Sequence, residues 1–145
     1  MAKLKLSILI YSLAAGGAER VVSILLDELE NQFDITLVLM NKAKFYDIPS
    51  SIRVLYLEDS LEYESGMWKF LKLLFLPFRY SSICRKYDIN VSLSFMNRPN
   101  YINILANSLR PSTKTIISER SMPSVHNNHG ISGKINKILI KKLYP

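Results

Sequence analysis

The chain has 145 residues, 48% of them hydrophobic, which is enough apolar material for one domain with a packed core and too much for a disordered tail. Its net charge of +7 is uneven: residues 1–60 carry six basic against eight acidic side chains, and residues 98–145 carry eight basic against one acidic. The single cysteine, Cys84, excludes a disulfide framework and suits a reducing compartment, and no stretch approaches the roughly 20 apolar residues of a membrane span.

Strands and helices take turns along the chain. Leu4 to Tyr11 is a short apolar run that reads as a first strand and not as a signal peptide, because it passes directly into Ser12 to Gly17. Ala18, Val21, Val22, Leu25, Leu26 and Leu29 then follow helical spacing. Phe33 to Met40 and Ile52 to Leu57 read as the second and third strands, with Pro49 in the loop between them. Met67 to Tyr87 is a long helical stretch with a bend expected near Pro77. Asn90 to Phe95, Pro99 to Leu109 and Lys114 to Ser118 repeat the order strand, helix, strand, and Ile131 to Leu143 closes the chain as a helix. This alternation predicts an α/β fold, a Rossmann-like doubly wound parallel sheet with helices on both faces. There is no internal repeat and no low-complexity tract.

In open parallel sheets ligands bind beyond the carboxyl ends of the strands, so the loops after strands one, four and five are the places to search. After strand one, Gly16 and Gly17 open a helix, where bare backbone can approach a ligand and free amide groups favour phosphate. The same pair can serve as a tight turn with close packing; Glu19 weakens the phosphate argument and Arg20 partly restores it. The three-glycine dinucleotide spacing is absent, and strand two ends in Met40-Asn41 in place of a ribose-binding acid, which disfavours a nicotinamide enzyme. Strand one ends in Tyr11-Ser12, which disfavours a phospho-acceptor receiver domain.

After strand four, Met96-Asn97-Arg98-Pro99-Asn100 puts proline at the first helical position and biases Arg98 towards an extended conformation just outside it. Arg98 then either aims its guanidinium at a phosphate or sugar hydroxyl or belongs to a solvated cap. After strand five, Ser118 to Ser124 is dense in polar groups: either Glu119 and Arg120 pair within a turn, or both face the cleft.

The stretches Ile-Tyr-Ser-Leu-Ala-Ala-Gly-Gly-Ala-Glu-Arg-Val-Val, Phe-Met-Asn-Arg-Pro-Asn-Tyr-Ile and Ile-Ile-Ser-Glu-Arg-Ser-Met-Pro-Ser together resemble the N-terminal domain of family 4 glycosyltransferases, retaining enzymes of the two-domain GT-B kind. The likeness is strongest to bacterial N-acetylgalactosaminyltransferases that extend undecaprenyl-diphosphate-linked oligosaccharides for protein N-glycosylation, and it covers nearly the whole chain. The resemblance implies that residues 1–145 form the acceptor-side half, without the donor-binding domain and its carboxylates. It places Gly16 and Gly17 in the cleft between domains, near the acceptor and the donor diphosphate; Arg20, Asn97, Arg98, Asn100 and Ser121, on the same three loops, are the further candidate substrate contacts. Arg120 stands where the family commonly has a histidine close to the transferred sugar, so Glu119 and Arg120 are the expected catalytic pair.

On the helix from Met67, Lys72, Arg79 and Lys86 recur every seven residues, with Lys69 close to Lys72 on the helical wheel. This basic stripe runs beside Trp68, Phe70, Leu71, Leu74 and Phe75. Trp68, Lys69, Lys72 and Arg79 thus suit anionic headgroups or a lipid diphosphate at a membrane surface; the plainer alternative is a core helix with a solvated basic side. In the transferases the chain resembles, a basic helix in this region contacts the acceptor diphosphate. His126 and His129 offer too few ligands for a metal site, and Cys84 suits a small buried hydrophobe better than a nucleophile. Lys134, Lys137, Lys141 and Lys142 come with no nucleic-acid recognition motif.

The expected activity is transfer of a hexose or N-acetylhexosamine, N-acetylgalactosamine by the resemblance, from a nucleotide sugar such as a UDP-sugar to a polyprenyl-diphosphate-linked glycan. No metal or resident cofactor is implied, no nucleic-acid partner is expected, and the expected place is the inner face of the cytoplasmic membrane, as a peripheral protein. Alternatives are a capsule or lipopolysaccharide transferase, or a non-catalytic Rossmann-type nucleotide-binding module.

Overall fold

A computed structural model describes residues 2–58 and 65–119. In chain order the elements are β1 (Leu4–Ile10), α1 (Gly17–Leu29), β2 (Phe33–Leu39), β3 (Arg53–Tyr56), α2 (Gly66–Lys86), β4 (Val91–Phe95), α3 (Asn97–Leu109) and β5 (Lys114–Ser118). The five strands form one sheet in the order β3-β2-β1-β4-β5, every neighbouring pair parallel. Parallel neighbours need a crossover, and α1, α2 and α3 supply crossovers within the described residues. The expected closing helix at residues 131–143 lies outside them.

The strands are apolar along most of their length because the sheet is covered on both faces. On one face, Leu6, Ile8 and Ile10 of β1 and Ile35, Leu37 and Leu39 of β2 pack with Ala18, Val22 and Leu26, the inward stripe of α1. On the other, Leu9, Val38, Met40 and Leu57 pack with Leu73, Leu76, Tyr80 and Cys84 of α2 and with Tyr101, Ile102 and Ala106 of α3. Helix α2 continues through Pro77, with its inward side at Leu73, Leu76, Tyr80 and Cys84.

One start differs from expectation. Helix α3 begins at Asn97, directly after Met96, so Arg98 belongs to its first turn and is not extended outside it. Met96 takes φ 72° and ψ 162°, a conformation that side chains disfavour, and this sharp turn leaves no room for a loop between β4 and α3. Pro99 is tolerated there because first-turn amides have no intrahelical partner to lose.

Candidate active site

Strand order reverses between β1 and β4: from β1 the chain moves towards β2 and β3, and from β4 towards β5. Their carboxyl ends therefore define the switch point at which such sheets bind ligands. The loop after β1 is held from beneath by the segment after β2. Leu13 N–H donates to the Ala43 carbonyl (3.1 Å), Phe45 N–H donates to the Leu13 carbonyl (2.7 Å), and the Tyr46 hydroxyl reaches the Gly16 carbonyl (3.4 Å).

Gly16 caps α1 in an extended conformation, φ −159° and ψ 167°. A Cβ there would meet the Glu19 carboxylate, which folds back against the helix start and, as the end of a flexible side chain, could swing aside. Gly17 is the first residue of α1, and a Cβ there would meet no atom within 4 Å. The α1 N-terminus is open to a ligand on the Gly17 side and carries its own carboxylate on the Gly16 side. Arg20 is exposed on the first turn.

The turn after β4 brings together charges from three elements. Glu58, two residues past β3, is buried at 8% exposure. One of its oxygens lies 2.9 Å from Arg98 Nη2 and the other 3.3 Å from Lys72 Nζ of α2. Lys72 and Arg98, read from sequence as a lipid-diphosphate or membrane contact and a substrate contact, thus meet on one carboxylate that sequence reasoning did not single out. Asn97 is half-buried beside them.

Asn100 is fully buried and supports the turn from behind. Its side-chain oxygen accepts from Ser94 Oγ (2.8 Å), and its amide donates to the Ser118 carbonyl (3.2 Å), tying α3 to the ends of β4 and β5. A polar ladder continues inward. Asn103 Nδ2 donates to Ser94 Oγ (3.0 Å), Ser92 Oγ donates to Asn103 Oδ1 (2.6 Å), and the Tyr80 hydroxyl bridges Ser92 Oγ (2.5 Å) and Ser7 Oγ (2.9 Å). Burial pushes the Tyr80 phenol far up, so it stays neutral. Burial likewise raises the Cys84 thiol to about 11, which removes it as a nucleophile near neutral pH.

Glu119 is half-buried just past β5. The Tyr101 phenol is pushed up to about 12, first by burial and then by the negative charge of Glu119. Arg120, Ser121, His126, His129 and the lysines from Lys134 onward lie outside the described residues, as do the side chains of Lys69 and Phe70. Among the described residues no group of three or more histidine, cysteine or acidic side chains could hold a metal ion.

Helix α2 has a second apolar face. Met67, Trp68, Leu71, Leu74, Phe75 and Phe78 line one exposed stripe, Trp68 at 61% and Phe75 at 72%. Trp68, Leu71, Leu74 and Phe75 are therefore not the core side of the helix, as the plainer sequence alternative required. Arg79 is exposed near this stripe, whereas Lys72 is turned to Glu58. Among the described residues no helix is long and apolar enough to cross a membrane.

Comparison with known proteins bears on what this arrangement serves. No protein-family model matches the sequence. Over 142 residues, 97% of the chain, it is 43% identical to the N-acetylgalactosamine-N,N'-diacetylbacillosaminyl-diphospho-undecaprenol 4-alpha-N-acetylgalactosaminyltransferase of Campylobacter jejuni subsp. jejuni serotype O:2. The chain spans 39% of the length of that relative. In structure it resembles the apo form of the lipopolysaccharide outer core galactosyltransferase WaaB, with a TM-score of 0.67 at 11% identity over 92% of this chain and 37% of the other. It also resembles a sucrose-phosphate synthase from Thermosynechococcus elongatus, with a TM-score of 0.69 at 12% identity over 97% of this chain and 40% of the other. These likenesses show that the chain shares its fold with part of WaaB and part of the sucrose-phosphate synthase. The glycine start of α1, the Met96 turn and Glu119 share one rim, at the carboxyl ends of the strands around the switch point of β1 and β4.

Proposed function

We propose that this chain is the acceptor-side half of a retaining transferase that moves an N-acetylhexosamine, N-acetylgalactosamine in the first instance, from a UDP-sugar to a polyprenyl-diphosphate-linked oligosaccharide. The observation that carries the reading is the 43% identity over 97% of the chain to a transferase named for such an acceptor, on a fold whose switch point gathers Gly17, Arg98 and Glu119. In this reading the open start of α1 lets the diphosphate and acceptor approach the backbone, Arg98 and Lys72 supply positive charge, and Glu119 with Arg120 faces the transferred sugar. Charge developing on the leaving diphosphate is met by backbone amides and basic side chains, with no metal required. The test is transfer itself: the full-length protein, given UDP-N-acetylgalactosamine, should lengthen a polyprenyl-diphosphate-linked oligosaccharide by one sugar, and failure with every nucleotide sugar would refute the reading.

The acceptor is an amphiphile, and the exposed stripe of α2 gives the protein a way to meet it as a peripheral protein on the inner face of the cytoplasmic membrane. Aromatic and aliphatic side chains would enter the headgroup boundary, with Arg79 against anionic lipid. Trp68→Ser combined with Phe75→Ser should weaken sedimentation with anionic vesicles at least about tenfold, each large side chain contributing on the order of 2 kcal/mol when buried. Arg79→Ala should cost about 1 kcal/mol at low salt and less as salt is added. Equal binding to neutral and anionic vesicles would contradict the charged part of this account, and unchanged binding by the double variant the apolar part.

A further inference from the structure

The segment after β2 does more than support the loop after β1: it holds an aromatic ring out at the rim of the switch point. Phe45 is 69% exposed. A single exposed apolar residue is ordinary on a protein surface, but the backbone of this one is fixed beside the candidate site. Its N–H donates to the carbonyl of Leu13, which is fully buried, and Lys44 bridges Leu13 as a parallel strand residue would. Before it, the Ala43 N–H donates to Asn41 Oδ1 (2.7 Å), a side-chain turn that leads the chain out of β2. The Tyr46 ring packs edge to face with the Phe45 ring, centroids 5.1 Å apart and planes at 83°. Through its hydroxyl on the Gly16 carbonyl, Tyr46 ties the pair to the loop whose next residue, Gly17, is open to a ligand. An edge-to-face contact uses at most one face of the Phe45 ring, so at least one face is left over.

Such a face is selective. Its π-cloud is apolar and partly negative, so it attracts the polarised C–H groups on one side of a pyranose and offers nothing to a phosphate. Lys44 and Asp47 flank the two rings in sequence and are exposed, a polar surround of the kind that sugar hydroxyls require. Resting on the function proposed above, we infer that Phe45, braced by Tyr46, is a stacking platform for a pyranose of the acceptor glycan. The ring sets which face of that sugar lies against the protein, and hence which hydroxyl is turned towards the open start of α1. A pyranose arrives on the donor as well, and the reading of this chain as the acceptor-side half decides between the two.

The experiment uses the full-length protein, its Phe45→Ala, Phe45→Leu and Phe45→Tyr variants, and three probes: methyl N-acetyl-α-galactosaminide, UDP and UDP-N-acetylgalactosamine. The first is a pyranose without phosphate or lipid, and its sugar stands in the acceptor named for the Campylobacter jejuni relative. In NMR titrations, Phe45→Ala and Phe45→Leu should bind the glycoside at least about fivefold more weakly than wild type, and Phe45→Tyr within about twofold of it. Protons on one side of the glycoside should shift upfield with wild type and Phe45→Tyr, as they do over an aromatic face, and not with Phe45→Leu. Affinity for UDP should stay within about twofold throughout, and Tm within about 2 °C, because the altered ring is exposed. Equal glycoside binding by wild type and Phe45→Ala, or none by wild type, overturns the proposal. Weaker binding of UDP-N-acetylgalactosamine by Phe45→Ala with the glycoside unaffected overturns it too, and gives the ring to the donor sugar. A large Tm loss in Phe45→Ala with glycoside affinity kept also overturns it, and makes the ring a contact between domains. None of these measurements reads transfer. A wild type that stacks the glycoside on Phe45 but transfers nothing would refute the proposed activity and leave the platform in place; transfer by a protein whose glycoside binding ignores Phe45 would do the opposite.

Discussion

Tyr80→Ala should lower stability by about 4 kcal/mol, within the range seen when a large buried aromatic side chain is truncated. Tyr80 is fully buried between α2 and the sheet, and its hydroxyl joins Ser7 of β1 to Ser92 of β4. Truncation opens a cavity and also strands the Ser7 hydroxyl in an apolar layer, a further cost on the order of 1–3 kcal/mol where the site cannot relax. Tyr80→Phe removes only the hydroxyl and should cost about 1–2 kcal/mol. Urea unfolding of the three proteins measures both values. A loss below about 2 kcal/mol for the alanine variant would mean that the ladder from Ser7 to Ser118 is not a central tie of the domain.

Gly17→Val should leave folding almost unchanged and reduce transfer by the full-length protein at least about tenfold, equivalent to roughly 1.4 kcal/mol of transition-state stabilisation. The structure makes this a clean probe. Gly17 is the first residue of α1, its conformation is not one reserved for glycine, and an added Cβ meets nothing within 4 Å. Valine is no worse than glycine in a helix, so stability should move by no more than about 0.5 kcal/mol. The added volume then acts only on what approaches the backbone from the cleft. Comparison of thermal unfolding and turnover decides the matter: near wild-type turnover would make the glycine turn a packing device, and a large loss of stability would contradict the open space seen around it.

The order of elements was legible because short apolar runs of strand length alternate with stretches of helical spacing between clear turn residues. Lys114–Ser118 has the bounds its run of apolar and β-branched residues predicts, and the inward stripe of α1 is the one its spacing picks out. The site was read less completely, for reasons that lie in non-local packing. Glu58 closes an apolar strand as a single acid, and nothing nearby in sequence shows that Lys72 and Arg98 will converge on it. Ser7, Ser92 and Ser94 did carry a signal, polar residues on one face of otherwise apolar strands, opposite Asn100 and Asn103 at helical spacing. Taken together they would have placed Asn100 in a buried ladder instead of facing a ligand. The φ of 72° at Met96 had no sequence mark at all, since such turns are usually signalled by glycine. On α2 the wheel grouped Lys72 with Arg79, but the helix also bears an inward face, and Lys72 lies near enough to the sheet ends to be drawn to Glu58.

The most direct measurement of the central claim is the mass of the product formed on two acceptors that share one oligosaccharide, one linked to a polyprenyl diphosphate and the other released from it. The full-length protein with UDP-N-acetylgalactosamine should add a single N-acetylhexosamine to the lipid-linked glycan and little or none to the free one, and the 145-residue chain alone should add nothing to either. Equal extension of both glycans, or turnover by the chain alone, would contradict the account.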